Sequence, residues 1–294
     1  MRGKIDLNLL GIDFEDWYHP ELVKPFVSQK DRKPAMFKGL DKILELLRKN
    51  DSQATFFTVG ELLESNPEIL DKIISEGHEI GFHTMNHTRL DSLNYELEFE
   101  KELKEFEKLT NGKSIGFRAP TFSLNKKSSW IIDELIKNRY KYDSSIMPAK
   151  SSMYGIPNAQ KSPYRITSSN IEKDDPNGTL VEFPLMVTKF LGKTIPAAGG
   201  FYLRFLPLKI IKNAIRSYQK INIPSTLYIH SWELTPEYFP KIKLPTKNQF
   251  ITFHKIEKTF SKMNELLEEF EFTSFETHYK KNMNELLSKK FKKC

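Results

Sequence analysis

Cysteine is nearly absent from this sequence, whose 294 residues include only Cys294. An intrachain disulfide and a cysteine-based zinc site are therefore excluded, and the composition suits a reducing compartment. No uncharged stretch is long enough to span a membrane. The segment Met1–Asp6 also lacks the apolar run and the small-residue cleavage site of a signal peptide. We expect a cytoplasmic protein, for which contact with the inner membrane face stays open.

What the sequence does have is apolar and basic residues. Hydrophobic residues make up 39% of the chain and aromatic residues 12%, enough for the core of one large α/β domain or two small ones. The formal net charge of +7 fits a phosphate-bearing substrate, an anionic membrane or nucleic acid, but also lysines that only aid solubility. We expect no nucleic-acid partner, because the lysine excess lies mostly in the C-terminal tail without interleaved aromatic residues.

Short apolar runs alternate with segments of helical spacing along most of the chain. The predicted strands cover residues 9–14, 54–60, 79–83, 114–118, 225–230 and 272–275, and an ordered segment is expected at 180–184. The predicted helices cover residues 37–49, 67–76, 95–111, 129–137, 206–220 and 255–270. This alternation predicts parallel βα units, whose functional residues gather at the carboxyl ends of the strands.

The remaining segments set the predicted organisation. Residues 149–180 are rich in Lys, Ser, Asn, Pro and Gly and predict an irregular loop. Residues 1–278 are expected to form a single catalytic domain, followed by a basic C-terminal tail at 279–294. Gly199 and Gly200 form a glycine pair at which the backbone can approach a ligand closely, although a plain turn explains them equally well.

Two clusters carry the candidate chemistry. His83 and His87 are four residues apart, so on a helical turn both can reach one ion. The stretch from Asp13 to Asp16 places three carboxylates at a strand end. Such a stretch can supply both an oxygen ligand for a divalent ion and a base for a metal-bound water. Taken singly, the two clusters fit equally well with surface histidines and a helix cap.

The order of the elements is more specific than either cluster. An acidic cluster is followed by the segments 54–60, 77–87 (GHEIGFHTMNH), 116–120 (GFRAP) and 227–230 (LYIH). Over residues 8–235 this series resembles the polysaccharide deacetylase family, the NodB-like carbohydrate esterases. The segments IDFEDWYH, FRAPTFS, YDSSI and YIHSWEL resemble those of the family branch that is found in bacterial exopolysaccharide and surface-glycan gene clusters.

The resemblance implies an α/β fold, a distorted (β/α) barrel of the NodB type, with one divalent metal held by an Asp-His-His set. The ligands would be Asp16, His83 and His87, and Glu15 would be the base. Zinc is the expected metal, although cobalt, nickel and iron also suit these ligands. Because Asp13 and Glu15 alternate onto one face of a strand, an Asp13 base with a Glu15 ligand stays open.

The same resemblance implies roles for further residues. Arg118 would pair with the catalytic carboxylate and keep it ionised, His230 would protonate the leaving amine, and Asp143 would hold His230 or Arg118 in place. Trp232 would form a wall of the acetyl pocket. Pro120, Gly199 and Gly200 complete the expected substrate-binding set.

The predicted function is removal of an N-acetyl group from an amino sugar in surface-glycan or exopolysaccharide biosynthesis. The charge suggests a phosphate-bearing substrate, either a sugar nucleotide or a lipid-linked sugar. Two alternatives stay open: an amidohydrolase of the same fold that acts on a cyclic amide or ureide, and a non-catalytic glycan-binding barrel. The identity of the sugar and the oligomeric state stay undetermined.

Overall fold

The structure is a computed structural model that describes residues 8–151 and 153–288, without the side chains of residues 283–286 and 288. Its strands are β1 (Asn8–Phe14), β2 (Thr55–Thr58), β3 (Glu79–Phe82), β4 (Gly116–Phe117), β5 (Tyr142–Asp143), β6 (Tyr164–Ile166), β7 (Leu180–Glu182), β8 (Val187–Phe190), β9 (Lys193–Pro196) and β10 (Ser225–His230). Its α-helices are α1 (Leu40–Lys49), α2 (Gly60–Ser65), α3 (Glu68–Ser75), α4 (Tyr95–Leu109), α5 (Ile131–Lys137), α6 (Gly200–Phe205), α7 (Leu208–Lys220), α8 (Ser231–Leu234), α9 (Thr246–Phe253), α10 (Thr259–Glu269) and α11 (Phe275–Ser288).

Eight strands form one sheet in the order β10-β1-β2-β3-β4-β5-β7-β6. All neighbouring strands are parallel except β6, which runs antiparallel to β7. After β7, the backbone N–H of Met186 donates to the carbonyl of Thr226 in β10 at 3.0 Å, so the chain links the two sides of the curled sheet. The architecture is the predicted distorted (β/α) barrel.

The helices cover the sheet through apolar stripes. In α1 the buried residues Leu40, Ile43, Leu44 and Leu47 recur at spacings of three and four, as the sequence pattern predicts. They pack in the same core as Phe56 of β2. Burying a side chain of this size contributes about 1.5–3 kcal/mol, so a polar residue on this stripe would weaken the packing of the helix on the sheet.

The parallel register brings the candidate residues to one edge of the sheet. In the register of β1 and β10, Asp13 lies opposite His230. His83 and Arg118 directly follow β3 and β4, which are the next parallel strands beyond β2. All four residues therefore lie at the carboxyl edge, where parallel βα folds place their sites.

Two parts of the C-terminal prediction need correction. The predicted strand at 272–275 is wrong, because only Thr273 bridges to β1, at Leu9. Ser274 then accepts a hydrogen bond from the backbone N–H of Thr277 through its Oγ, and α11 begins. This helix crosses the predicted tail boundary, and the buried Tyr279 packs against Tyr142. Residues 289–294 of the predicted basic tail lie outside the described residues.

The segment predicted to be irregular, 149–180, contains one short strand, β6, and otherwise turns and bends among its described residues. The antiparallel hairpin β8–β9 was not predicted, nor were the helices α2 and α9. In the part of the chain that the structure describes, no helix is both long and apolar enough to cross a bilayer.

Candidate active site

Three buried side chains converge where β1 and β3 end. One ligand atom each from Glu15, His83 and His87 lies within 4.8 Å of the others. Glu15 comes directly after the last residue of β1, and His83 directly after the last residue of β3. Two imidazoles and one carboxylate are a donor set that suits zinc and similar divalent ions. These residues can therefore hold a metal ion.

The loop that carries the two histidines is not the helical turn that their spacing predicted. Thr84 and His87 have φ values of 61° and 51°, in the left-handed region, which no α-helix contains. The loop nevertheless brings the imidazole rings of His83 and His87 to a centroid distance of 5.1 Å. Backbone geometry rather than helical periodicity places both rings at one point.

Hydrogen bonds orient these ligands. His83 Nδ1 lies 2.7 Å from the carbonyl oxygen of Arg118, so Nδ1 carries the proton and Nε2 keeps its lone pair. Burial lowers the pKa of His83 to about 4, which keeps the ring neutral. His87 Nδ1 is buried without a hydrogen-bond partner among the described residues. A neutral ring and an unpartnered ring nitrogen both fit a metal-ligating role.

Glu15 is tied into the site from two sides. Trp232 Nε1 donates to its Oε1 at 2.9 Å, and His87 Nε2 lies 2.6 Å from its Oε2. Burial acts to raise the pKa of Glu15, but the charge and hydrogen bond of His87, together with His230 and His83, lower it well below its usual value. Glu15 is thus an ionised carboxylate beside the imidazoles.

Asp16, the predicted metal ligand, faces away from the histidines. Its Oδ1 accepts a hydrogen bond from the backbone N–H of Trp17, and its Oδ2 accepts those of Ala35 and Met36, at 2.8–3.2 Å. The prediction is therefore corrected: Asp16 stabilises the loop after β1, and Glu15 takes the position beside the two histidines. Glu15 is accordingly not placed as the base. The geometry favours the open alternative, with Glu15 as ligand and Asp13 as base.

Asp13 is held by Arg118. Nη1 of the guanidinium donates to Asp13 Oδ1 at 2.7 Å, while Nε and Nη2 donate to the carbonyl and the Oγ of Ser144, both at 3.0 Å. The guanidinium also lies over the ring of Phe57 at 4.1 Å. Its place is open only because residue 11 is a glycine, since an added Cβ would lie 2.4 Å from Nη1.

His230 lies beside Asp13 on the neighbouring strand β10 and also lines the cleft. Its Nε2 is 3.9 Å from both Asp13 Oδ2 and Glu15 Oε1, and its Nδ1 is 2.7 Å from Glu233 Oε2. Burial acts to lower its pKa, but the charge and hydrogen bond of Glu233, with help from Glu15 and Asp13, raise the pKa of His230 to about 9. The imidazole is therefore ready to donate a proton at neutral pH.

Glu233 is itself fixed by a buried ion pair. Arg204 Nη2 donates to Glu233 Oε1 at 2.7 Å, and both side chains are only 1% exposed. Burial acts to raise the pKa of Glu233, but Arg204 and His230 lower it to about 2. The result is a chain of contacts that runs from Arg204 through Glu233 to His230.

Asp143, predicted to hold His230 or Arg118, does neither. It lies beside Glu182 in the β5–β7 pair and accepts a hydrogen bond from Ser145. Burial raises the pKa of Asp143 to about 6 and that of Glu182 well above its usual value. Neither carboxyl group lines the cleft. The roles predicted for Asp143 fall instead to Glu233 and to Ser144.

A single cleft connects these groups. Its walls include Asp13, Glu15, His83, His87, Phe122, Phe201, Tyr228, His230 and Trp232. Trp232, predicted to form a wall of the acetyl pocket, is among these lining residues. Pro120, Gly199 and Gly200 do not line the cleft, and their neighbours Thr121 and Phe201 do. The glycine pair instead makes room for Tyr228 and Glu233, whose atoms would lie 1.9–2.5 Å from added Cβ atoms.

Three features of the site were not predicted from the sequence: Glu233, Arg204 and the side chains that support His87. Glu233 had a usable signal, because it follows His230 by three residues at a strand-to-helix junction and completes a capping box there. The ring of His19 stacks on that of His87 at 5.6 Å, and its Nε2 contacts Glu61 at 2.7 Å. No local pattern in the sequence indicated Arg204 or this stack.

Comparison with known families covers most of the chain in two parts. Residues 32–137 match the model "Polysaccharide deacetylase". Residues 144–280 match the model "Domain of unknown function (DUF3473)". The first match contains the histidine loop and Arg118, and the second contains His230 and Glu233.

Several characterised deacetylases share shorter segments. The chain is 30% identical over 112 residues to the peptidoglycan deacetylase of Helicobacter pylori, which covers 37% of each chain. It is 48% identical over 46 residues to a peptidoglycan-N-acetylglucosamine deacetylase of Bacillus cereus, covering 16% of this chain and 22% of the relative. The alignments thus span well under half of these relatives' lengths.

The fold agrees with a solved structure over nearly its whole length. A probable polysaccharide deacetylase from Pseudomonas aeruginosa PAO1 superposes with a TM-score of 0.59 at 13% identity, covering 98% of this chain and 94% of the other. The match of residues 32–137 confirms the predicted resemblance to the NodB-like polysaccharide deacetylases, and the superposition confirms the fold.

Proposed function

We propose that the protein is a metal-dependent hydrolase that removes the N-acetyl group from an amino sugar in the synthesis of a bacterial surface glycan. One observation carries this proposal: Glu15, His83 and His87 face a cleft that is also lined by Asp13 and His230. Amide hydrolysis needs a base for water and an acid for the departing nitrogen, and this cleft contains a candidate for each.

The metal would be held by Glu15, His83 and His87. The donor set suits Zn²⁺ best, with Co²⁺, Ni²⁺ and Fe²⁺ as alternatives. A bound ion would act as a Lewis acid that polarises the acetyl carbonyl and acidifies water. The Nδ1 contact of His83 with the Arg118 carbonyl would keep its Nε2 directed at the ion, as such outer contacts do in metalloproteins.

Asp13 is the proposed base. Arg118 engages its Oδ1, which leaves Oδ2 facing the cleft at 3.9 Å from His230 Nε2. This oxygen can take the proton from the attacking water. The guanidinium holds the carboxylate in one orientation through bonds to Asp13 and Ser144, so the base is in place before substrate arrives.

His230 is the proposed acid. Nε2 faces the cleft, and the contact between Nδ1 and Glu233 stabilises the protonated ring. As the C–N bond breaks, His230 would donate its Nε2 proton to the amine nitrogen, and the products are acetate and a free amino sugar. Trp232 stacks on His230 at 5.1 Å and would form the wall beside the acetyl methyl.

The substrate class follows from the family and the charge. Relatives named as deacetylases of peptidoglycan and chitooligosaccharides support an N-acetylated amino sugar. The formal net charge of +7 supports a substrate that carries phosphate, such as a sugar nucleotide or a lipid-linked sugar. A cytoplasmic location would give access to such precursors.

The decisive experiment measures metal content and acetate release together. We expect about one metal ion per chain in the purified protein and acetate release from N-acetylated amino sugars. The double variant H83A/H87A should lose both. The matched control is N86A, because Asn86 lies between the two histidines in the sequence, is exposed and points its Nδ2 toward Glu102 Oε1 at 3.4 Å.

The outcomes separate the open alternatives. Tight binding of one metal ion by H83A/H87A would refute the assignment of the ligands. Metal binding without acetate release, but with hydrolysis of a cyclic ureide, would indicate an amidohydrolase of the same fold. Glycan binding with neither metal nor hydrolysis would indicate a non-catalytic barrel.

A further inference from the structure

Exposed phenylalanine rings extend the catalytic cleft outward. Phe201 lines the cleft and stacks on Phe205 with ring centroids 5.5 Å apart and planes 13° apart. The ring of Phe250 is 6.4 Å from that of Phe201. Phe205 is 52% exposed and Phe250 46% exposed. We call Phe201, Phe205 and Phe250 the aromatic rim. It is a continuous apolar surface that begins inside the cleft and ends in solvent.

Basic residues flank the aromatic rim. The segment 241–262, which contains α9 and Phe250, has six lysines and one acidic residue, Glu257. Lys243, Lys247 and Lys255 are exposed in this segment. Its concentration of positive charge is far greater than that of the chain as a whole, and it lies where the cleft opens.

A second segment adds to this surface from the loop after β1. Asn248 Nδ2 donates to the carbonyl of Leu22 at 2.9 Å, which joins α9 to the segment 20–38. That segment has five basic and two acidic residues. It also presents Phe26, which is 50% exposed. Half-exposed phenylalanines and unbalanced cations therefore occur on both segments that frame the cleft.

This composition selects a lipid surface over a sugar chain. Phenylalanine has no hydrogen-bonding group, whereas a subsite for a hydrophilic glycan pairs its aromatic rings with polar side chains. An apolar patch flanked by lysines matches one leaflet of an anionic membrane. The rings can enter the boundary of the acyl chains, and the lysines can contact the phosphates of the headgroups.

We infer that the mouth of the cleft docks on an anionic membrane surface, with the aromatic rim and Phe26 inserted and the exposed lysines Lys243, Lys247 and Lys255 on the headgroups. The inference rests on the proposed function, and it specifies the substrate: an N-acetylated amino sugar linked to a lipid. Docking would place the cleft directly above the headgroup layer, where such a sugar projects from the membrane.

The test is co-sedimentation of the full chain with vesicles of phosphatidylcholine, with and without phosphatidylglycerol. The wild type should bind the vesicles that contain phosphatidylglycerol, and more weakly at high salt. The variants F205S/F250S and K243E/K247E should each bind these vesicles at least about tenfold more weakly than the wild type. Both pairs lie outside the cleft walls. The matched control is F190S/L191S, which removes similarly exposed apolar side chains from the tip of the β8–β9 hairpin.

A second readout separates this inference from the proposed function. Acetate release from a water-soluble N-acetylated oligosaccharide should be equal in the wild type and in F205S/F250S. Equal activity with no vesicle binding by the wild type would overturn the membrane inference and leave the deacetylase intact. If F205S/F250S lost activity on the soluble substrate and the wild type bound no vesicles, the aromatic rim would be a glycan subsite. This result would also overturn the membrane inference. Loss of vesicle binding in F190S/L191S alone would place the docking surface on the hairpin and refute docking through the mouth of the cleft.

Discussion

Arg118 and Asp13 are joined by a 2.7 Å contact between Nη1 and Oδ1, and neither side chain is more than 4% exposed. The contact exists because Gly11 leaves space for the guanidinium, since a Cβ there would lie 2.4 Å from Nη1. The position of the proposed base is therefore set by a residue that has no side chain. This relationship gives a test that changes no catalytic group.

We predict that Gly11→Ala lowers kcat about 10²-fold or more, because Arg118 must move and Asp13 loses its orientation. Metal content should not change, since Gly11 contacts none of the proposed ligands. Steady-state kinetics and metal analysis check both parts. Ile12→Val, a small change on the opposite face of the same strand, is the control and should retain nearly full activity. A G11A enzyme of normal kcat would contradict the role of the Arg118–Asp13 pair.

Removing the carboxylate of Glu15 and removing that of Asp16 should have opposite effects on metal binding and on stability. Glu15→Gln should abolish metal binding with the fold intact. Asp16→Ala should keep the metal but leave the backbone N–H groups of Trp17, Ala35 and Met36 without their acceptor, at a cost of about 1–3 kcal/mol of unfolding free energy for each group left unsatisfied. Metal analysis and urea unfolding of both variants distinguish the roles. Loss of metal in D16A with normal stability would restore Asp16 as the ligand.

Glu233→Gln should impair His230 without removing it. Because Glu233 raises the pKa of His230, its loss should move the alkaline limit of kcat to lower pH. The sign follows from the acid role: His230 is active when protonated, so a lower pKa ends activity at lower pH. We expect kcat to fall about 10²-fold or more at neutral pH. A pH–rate profile measures both effects.

The same variant leaves the buried Arg204 without its counter-charge, so E233Q should also unfold more easily, by about 3–5 kcal/mol. The double variant R204M/E233Q separates the two effects, because it should regain stability but not activity. If it regained the wild-type pH profile as well, the Glu233–His230 contact would have no catalytic role.

Glu79 should make stability depend on pH. It is buried between β2 and β5, where Thr55 and Tyr142 donate hydrogen bonds to it, and burial raises its pKa to about 7. A raised folded-state pKa stabilises the fold fully below the unfolded value of 4.5, and this contribution disappears as the pH rises through 7. Comparing wild type with Glu79→Gln between pH 4.5 and 8, we expect the difference in unfolding free energy to change by about 3 kcal/mol. Parallel curves for the two proteins would show that Glu79 does not titrate in this range.

Much of the barrel could be predicted because its strands are short, apolar and followed by polar residues. The positions of Asp13, His83, Arg118 and His230 follow from one rule, that parallel strands share a carboxyl edge. The alternation of side chains along β1 is also informative. It places Asp13 and Glu15 on the same face, which allows the alternative of an Asp13 base with a Glu15 ligand.

The errors have a common physical origin, because a sequence motif gives proximity but not side-chain direction. Asp16 is adjacent to Glu15, yet the chain leaves the strand there and turns the carboxylate toward backbone N–H groups. Asp143 also ends a strand but lies next to Glu182 and does not line the cleft. Arg204 could not be predicted, because its partner is 29 residues away and the contact depends on how α6 packs.

Arg204 also reaches the helix that carries Phe250. Its Nη1 donates to the carbonyl of His254 at 2.8 Å and its Nη2 to the carbonyl of Ile251 at 3.2 Å, while Nη2 also bonds to Glu233. The guanidinium thus connects α9 to Glu233 and, through Glu233, to His230, the proposed proton donor. If α9 docks on a membrane as inferred, a displacement of α9 should reach the imidazole through this one rigid planar group and change the rate of acetate release.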